Sequence, residues 1–207
     1  MAVKKKTARP KTKTKARPAT KAKAATKAKA PQKREPKAMS EEAMMTQWHA
    51  AMTPSAPHAR LMPMVGTWRT TTTFTMSPGA PPQVHGGTSV HRLVLGGRFL
   101  EQIYKGMAMG MPFEGIGYTG YDNIQKKYIG TWMDSFGTGL MNSAGVGRPT
   151  ASAMSFIAEA IEFSGKRAKF ECKIKIQDHD HHTYEMWAKA PGGRRYRSMI
   201  IEYTRKT

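Results

Sequence analysis

The sequence predicts an all-β protein, with about ten antiparallel strands closed into a barrel, preceded by a short helix and a disordered basic tail. Past residue 64, apolar and polar side chains alternate with a period of two in several segments, which is typical of strands with one buried face. Turn-forming residues separate these segments at intervals of roughly 8–14 residues, and no helical pattern intervenes. Closure into a barrel also removes the exposed edges that so many strands would otherwise present.

The stretch from Leu93 to Ser135 carries most of this pattern and predicts about three or four consecutive strands. Gly96-Gly97 separates one apolar run from the next, as a tight hairpin connection does. Residues 122–126 separate the alternating run around Tyr118 from the next run, and the Asp and Asn at their start tolerate turn geometry. We therefore expect a hairpin at each of these two positions.

The same alternation continues on both sides of this stretch. Every second residue from Trp68 to Met76 falls on one face of a predicted strand, which the Pro-rich segment 77–82 ends. Residues 167–176 interleave five apolar with five charged side chains, which is the clearest strand signal in the chain. Turns at 178–180 and 191–193 delimit the last two predicted strands.

A short helix is predicted before the barrel. Ser40 can cap its N-terminus, the two following glutamates suit the positive end of the helix dipole, and Pro54 prevents it from continuing. We expect Trp48 to dock this helix on the body of the protein. The chain thus divides into a tail over residues 1–38, a helical lead-in over 39–60 and a barrel domain over 61–207.

The tail holds most of the positive charge. Of the formal net charge of +20, residues 1–37 carry +14, from twelve Lys, three Arg and one Glu. The tail has no aromatic residue and little apolar surface, so we expect it to be disordered. Its composition resembles the Lys/Ala-rich tails of linker histones and bacterial histone-like proteins.

That resemblance implies binding of nucleic acid or another polyanion by counterion release, without sequence readout. A solubilising tail without a partner is the alternative. The lysines predicted to contact a polyanion are Lys4, Lys5, Lys6, Lys11, Lys13, Lys15, Lys21, Lys23, Lys27 and Lys29.

Composition also indicates which cellular compartment to expect for the protein. The single cysteine, Cys172, excludes an intrachain disulfide framework. No apolar run approaches the ~20 residues needed to cross a bilayer, and no apolar segment follows the basic N-terminus as in a secretory signal. We therefore expect a cytoplasmic protein with no membrane partner. The sequence does not indicate an oligomeric state.

Several motifs occur together in an order that resembles a bacterial family of unknown function with a calycin-like barrel. The match covers roughly residues 58–207 and implies a lipocalin-type or fatty-acid-binding-type barrel without an assigned activity. The motifs are Val65-Gly66-Thr67-Trp68, Leu95-Gly96-Gly97-Arg98-Phe99-Leu100, Pro112-Phe113-Glu114-Gly115, Gly120-Tyr121-Asp122-Asn123, and Thr131-Trp132-Met133-Asp134-Ser135 with Phe136-Gly137-Thr138-Gly139.

No cofactor is predicted. Nitrobindins, a haem-binding branch of similar barrels, open with a Gly-x-Trp-x-Gly-x-Gly pattern, but Thr70 and Thr72 stand here in place of the two later glycines. Residues 194–207 also lack the histidine that those proteins supply from near the C-terminus. His179 and His181 would share one face of a strand and could hold zinc or copper, but they fall at a predicted hairpin tip.

The patterns favour a barrel that binds a small apolar or amphipathic ligand. Alternation alone indicates six residues that would face the ligand: Trp68, Tyr104, Met109, Tyr118, Trp132 and Tyr184. One alternative is an enzyme that uses a buried carboxylate, from among Glu101, Glu114, Asp134, Glu185 and Glu202. Another is a structural or oligomerising barrel with a filled interior. No residue is predicted to be catalytic.

Overall fold

The computed structural model describes residues 39–150, 152–162 and 164–207. Two helices, α1 (Glu41–Met52) and α2 (Ala56–Ala59), and a 3-10 turn at Met62–Met64 precede the strands. The described residues then form ten strands: β1 (Gly66–Phe74), β2 (Gln83–Val94), β3 (Phe99–Ala108), β4 (Met111–Asp122), β5 (Lys127–Asp134), β6 (Met141–Gly145), β7 (Ala153–Ile161), β8 (Arg167–Ile176), β9 (His181–Lys189) and β10 (Arg195–Arg205). Among the helices in these ranges, none has the length and apolar character needed to cross a membrane.

The strands form one closed antiparallel barrel in which each strand pairs with its neighbours in sequence. The barrel closes where β1 pairs with β10, over a register that runs from Trp68 opposite Arg205 to Phe74 opposite Met199. The predicted all-β barrel preceded by a short helix is therefore confirmed, and it fits the calycin-like type that the motifs indicate. The tail lies outside the described residues.

The hairpins fall where the turn residues predict them. Gly96 and Gly97 have φ of 65° and 84° between β2 and β3, a left-handed conformation that glycine adopts without strain. The carboxylate of Asp122 accepts the amide N–H groups of Ile124 and Gln125 at 2.7 and 2.9 Å, which fixes the turn between β4 and β5.

Residues 58–64, which we call the plug, close one end of the barrel, which we call the closed end. Leu61 and Met64 are 0% and 2% exposed and pack into the same cluster as Tyr128 and Phe156 of the barrel wall. His58 of α2 is also buried, and its ring lies edge-on to Tyr121. The other end of the barrel, where the β3–β4 hairpin lies, is called the open end.

Helix α1 begins after Ser40, whose hydroxyl accepts the N–H of Ala43 at 3.3 Å, so the predicted cap is confirmed. The prediction that Trp48 docks the helix is wrong: its side chain is 57% exposed, and no residue of α1 is buried. The helix is held by its C-terminal carbonyls, since Arg98 donates to Met52 and the Asn123 amide donates to Ala50, Ala51 and Thr53. Polar contacts from two hairpins replace the expected aromatic contact.

Candidate ligand-binding site

The strand register determines which side chains point into the barrel. Thr70 lies opposite Tyr203, which lies opposite His182, and all three are buried. Since side chains alternate along a strand, every second residue from these positions also faces inward. The interior set therefore includes Thr72 on β1 and Tyr184 on β9.

A layer of polar and aromatic side chains lies inside the barrel next to the closed end. The imidazole of His182 stacks on the ring of Tyr203 with centroids 4.1 Å apart and meets the face of Trp68 edge-on at 4.3 Å. The ring of His91 lies 5.6 Å from that of His182. Gln102 donates from its amide to the Tyr203 hydroxyl at 3.0 Å. We call these five residues the inner polar layer.

The hydrogen bonds of His91 define its tautomer. Its Nδ1 lies 3.1 Å from the carbonyl oxygen of Met64, which can only accept, so Nδ1 carries the proton. Its Nε2 then accepts from the Ser89 hydroxyl at 2.9 Å. The same Met64 carbonyl accepts the indole N–H of Trp68 at 2.9 Å, so two interior side chains, those of His91 and Trp68, anchor the plug.

Burial keeps this layer uncharged. It lowers the pKa of His91 to about 4, and it lowers that of His182 to about 3, with His91 and Arg205 adding to the effect. Burial likewise raises the pKa of the Tyr203 hydroxyl, although the bond from Gln102 opposes the rise. At neutral pH the layer therefore offers hydrogen-bonding groups without net charge.

Two buried polar atoms near this layer have no partner among the described residues, Oγ1 of Thr70 and Nδ1 of His182. Buried polar atoms are normally paired with protein or water, so such atoms indicate room for a further polar group. Both belong to the inward set and lie on one rung, since Thr70 of β1 pairs with Tyr203 of β10 and Tyr203 pairs with His182 of β9.

Toward the open end, two aromatic rings lie flat on glycine backbone. A Cβ on Gly87 would come 2.5 Å from the hydroxyl of Tyr104, and one on Gly106 would come 2.9 Å from it. In the same way, a Cβ on Gly115 would come 2.1 Å from the ring of Trp132. The two rings therefore lie along the wall instead of projecting across the interior.

The inward side chains of the open half are only half-buried, in contrast to those near the plug. They are mainly aromatic, methionine and isoleucine residues. The half-buried inward set includes Phe74, Phe113, Trp132, Met141, Phe170, Met186, Met199 and Ile201. These residues face inward and retain solvent exposure, whereas the inward residues near the closed end are fully buried.

The structure places the six predicted ligand-facing residues in different surroundings. Tyr104, Trp132 and Tyr184 face the interior, and Tyr184 donates to the thiol of Cys172 at 3.1 Å. Met109 lies in the β3–β4 turn at the open rim, 52% exposed. Trp68 faces inward but lies in the plugged half, 1% exposed.

Tyr118 departs from the prediction. It lies on the outer face of β4, where its hydroxyl donates to Glu101 at 3.0 Å. The interior positions of that strand are Gly115 and Gly117, which leave space for the ring of Trp132. The larger residues of the alternating run therefore point outward, and Tyr118 cannot contact a ligand held inside.

The sequence interpretation did not include the inner polar layer beyond Trp68. Thr70 was assigned to the correct face of its strand but not to a site. His182 was not assigned to the interior, although it lies in β9 in alternation with Tyr184. That alternation was the signal that could have identified it, whereas His91 and Gln102 carry no motif of their own.

The carboxylates that the enzyme alternative requires do not converge inside the barrel. Glu101 pairs with Arg92 and Glu185 with Lys175 on the outer face, and Glu114 and Glu202 are exposed. A hydrogen bond from Arg92 lowers the pKa of Glu101; burial opposes this shift, and a bond from Tyr118 adds to it. Asp134, at the open end, accepts from the indole of Trp132 at 2.9 Å.

The two histidines considered for a metal lie at the β8–β9 turn. The ring of His179 hydrogen-bonds Asp180 and that of His181 hydrogen-bonds Asp178. Within residues 39–150, 152–162 and 164–207, no three potential ligands gather around a common point. Burial raises the pKa of the Cys172 thiol to about 11, so it is protonated at neutral pH.

The fold and its interior define a class of protein, a closed antiparallel barrel of ten strands with one plugged end and an aromatic-lined open half. The chain belongs to a family described as protein of unknown function (DUF1579), whose profile matches residues 53–205. No curated protein matches the sequence.

Three solved structures resemble the chain to different degrees. The crystal structure of Rv2717c from M. tuberculosis is similar with a TM-score of 0.56 and 16% identity, covering 75% of this chain and 100% of that one. A redesigned beta barrel, b11L5F_LGL, has a TM-score of 0.39 and 12% identity, covering 72% and 96%. EF1p2_mFAP2b bound to DFHBI has a TM-score of 0.42 and 11% identity, covering 72% and 98%. At these identities the first similarity indicates a common fold.

Proposed function

We propose that the barrel binds a small apolar or amphipathic ligand through its open end. The observation that carries the proposal is the arrangement of Tyr104 and Trp132, whose rings lie against glycine walls while the inward residues around them stay half-buried. Apolar linings with a few polar groups are typical of small-molecule sites.

The position of the polar groups favours an amphipathic ligand. The apolar body would contact the half-buried aromatic and methionine side chains of the open half. Its polar end would then meet hydroxyl groups deeper in the barrel, where the hydroxyl oxygens of Thr72 and Tyr104 lie 3.4 Å apart and that of Thr70 has no partner in the described part of the chain. Because the inner layer is neutral, an alcohol or protonated acid suits it better than an anion.

The proposal is tested by a substitution that places a larger side chain at one inward position. Thr72→Phe adds a ring within the open half, whereas Thr71→Phe adds the same ring on the outer face of the same strand. With cis-parinaric acid and its alcohol analogue as fluorescent probes, we expect Thr72→Phe to weaken binding about tenfold or more and Thr71→Phe to leave it unchanged.

Both variants are first compared with the wild type by thermal unfolding, so that loss of binding is separated from loss of folding. Equal binding by the Thr72→Phe variant and the wild type would contradict the proposal. Binding of neither probe by wild-type protein would favour the structural alternative.

For the tail we propose salt-dependent binding of nucleic acid or another polyanion. Its support is composition alone, since residues 1–37 carry a charge of +14. Retention on immobilised duplex DNA should fall steeply with salt, since each neutralised phosphate adds about 0.9 to the slope of log affinity against log salt. Deleting residues 1–37 should abolish retention, and equal retention by the truncated protein would refute the proposal.

A further inference from the structure

A second cavity, separate from the barrel interior, lies on the surface of the closed end. Its volume is ≈ 330 Å³, and α2, the β4–β5 hairpin and the loop after β6 surround it. Volumes of about 300–1,000 Å³ are typical of small-molecule sites. The four cations that line it are Arg60, Lys126, Lys127 and Arg148.

We propose that this cavity, which we call the basic cavity, binds a phosphate group of a small molecule or of a lipid headgroup. No carboxylate belongs to its lining, and none of its four cations forms an ion pair with a carboxylate of the described residues. Elsewhere on the barrel, Arg92, Lys105 and Lys175 are each neutralised by a glutamate. The positive charge of the basic cavity thus remains available to a ligand.

The nearest acidic side chain in sequence is already engaged. Asp122 accepts two backbone N–H groups and the side-chain amide of Gln125 within the β4–β5 turn. Those hydrogen bonds lower its pKa, and the charge of Lys127 adds to the effect, so Asp122 remains ionised while its oxygens are held within the turn.

Lys126 occupies a position that the backbone would reserve for glycine. Its φ is 55°, a left-handed conformation that costs a lysine free energy and a glycine almost none. Left-handed non-glycine residues cluster at functional sites, where the strain is retained because the side chain is needed at that position. Here that side chain supplies one of the four cations of the cavity.

The floor of the cavity is rigid and partly apolar. Tyr128 donates to the carbonyl of Pro57 at 2.7 Å, and its ring lies 5.1 Å from that of Tyr121. Burial raises the pKa of the Tyr128 hydroxyl, and the nearby Arg60 guanidinium opposes that rise. An aromatic floor next to four cations fits an organic phosphate, with its carbon skeleton on the tyrosine rings.

Phosphate fits better than carboxylate because several cations surround one small volume. A phosphate monoester or diphosphate carries more than one charge and several acceptor oxygens, and arginine forks match them bidentately. A single carboxylate would leave most of the cations of the cavity without a partner.

The test measures binding of inorganic pyrophosphate to the full chain by ¹H–¹⁵N NMR. The basic tail also attracts anions, so the readout is site-specific: the amides of Lys126, Gly145 and Gly147 should shift on titration. Replacing three cavity cations with Gln (Lys126, Lys127 and Arg148) should weaken this binding about ten- to hundredfold. The matched control replaces three exposed lysines elsewhere, Lys166, Lys189 and Lys206, with the same loss of charge.

Vesicles distinguish the two sources of phosphate. The same proteins are sedimented with phosphatidylcholine vesicles with or without phosphatidic acid. Loss of pyrophosphate binding alone in the cavity variant assigns a soluble phosphate, whereas loss of sedimentation relative to the control variant assigns a lipid headgroup. Equal behaviour of the two variants in both assays would overturn the proposal, as would cavity amides that do not shift.

Lys126→Gly separates the ligand site from folding. Relief of the left-handed strain should raise Tm by about 2–4 °C. Loss of one cation should weaken pyrophosphate binding about three- to fivefold. A variant that is more stable and binds as tightly as the wild type would overturn the assignment.

Discussion

At the scale of single residues, the two buried histidines have different relations to their surroundings. His91 connects the carbonyl of Met64 to the hydroxyl of Ser89, so both of its ring nitrogens are paired. His182 is held by ring contacts with Tyr203 and Trp68, while its Nδ1 has no partner among the described residues. The first histidine stabilises the interior through hydrogen bonds, whereas the second does so through aromatic packing.

This difference predicts a large loss of stability for replacement of His91 by Phe and a small change for the same replacement of His182. At pH 7.5, His91→Phe should lower the free energy of unfolding by about 1–3 kcal/mol, because it leaves buried partners unpaired. His182→Phe keeps the ring contacts and should stay within about 1 kcal/mol of the wild type. Urea denaturation measures both, and equal losses would contradict the assignment.

The pH dependence of stability provides a second measurement on the same variants. Burial lowers both pKa values from 6.5, to about 4 for His91 and about 3 for His182. As pH falls from 6.5 toward 4, the unfolded chain binds protons that the folded protein does not. Stability should therefore fall by about 1.4 kcal/mol per pH unit for each histidine, and either substitution should remove one such contribution.

At the scale of elements, strands and hairpins were predictable because they follow local rules. Alternation fixed the faces of β1 and β8, and Gly96-Gly97 and Asp122 placed two turns. These signals arise from backbone sterics and burial of one face, which short stretches of sequence express.

The faces of β4 were not predictable from the same rule. A large residue is expected to face the core, but here Gly115 and Gly117 face inward because Trp132 of the next strand covers them. The space inside a barrel is shared between neighbouring strands, so a ring on one strand demands glycine on the other. The sequence of β4 alone does not show that requirement. Tyr118 was therefore assigned to the wrong face of the strand.

Helix α1 illustrates a related limit. Its N-cap was predictable from the sequence because Ser40 and the following glutamates act within one turn of helix. Its attachment was not predictable, because Asn123 and Arg98 lie in hairpins about fifty to seventy residues away and donate to backbone carbonyls at the end of the helix. Such contacts do not depend on the side chains of the helix, so the sequence of the helix does not indicate them.

At the scale of the whole molecule, one arginine connects the first strand, the last strand and two segments outside the sheet. The guanidinium of Arg205 donates to the carbonyls of Val65, Pro63 and His179 at 2.7, 3.0 and 2.9 Å. It also lies 4.1 Å from the ring centre of Trp68. The barrel closes where β1 meets β10, so this side chain joins the plug to the point of closure.

We predict that Arg205→Lys lowers the free energy of unfolding by about 1–3 kcal/mol, because an ammonium cannot reach three carbonyls and stack on an indole together. Arg195 is a matched control, since it also lies 4.1 Å from a tryptophan ring, that of Trp187, but its side chain is 50% exposed against 16% for Arg205. Arg195→Lys should therefore cost less than about 1 kcal/mol. Urea denaturation followed by tryptophan fluorescence compares the two, and equal effects would mean that barrel closure does not depend on the guanidinium.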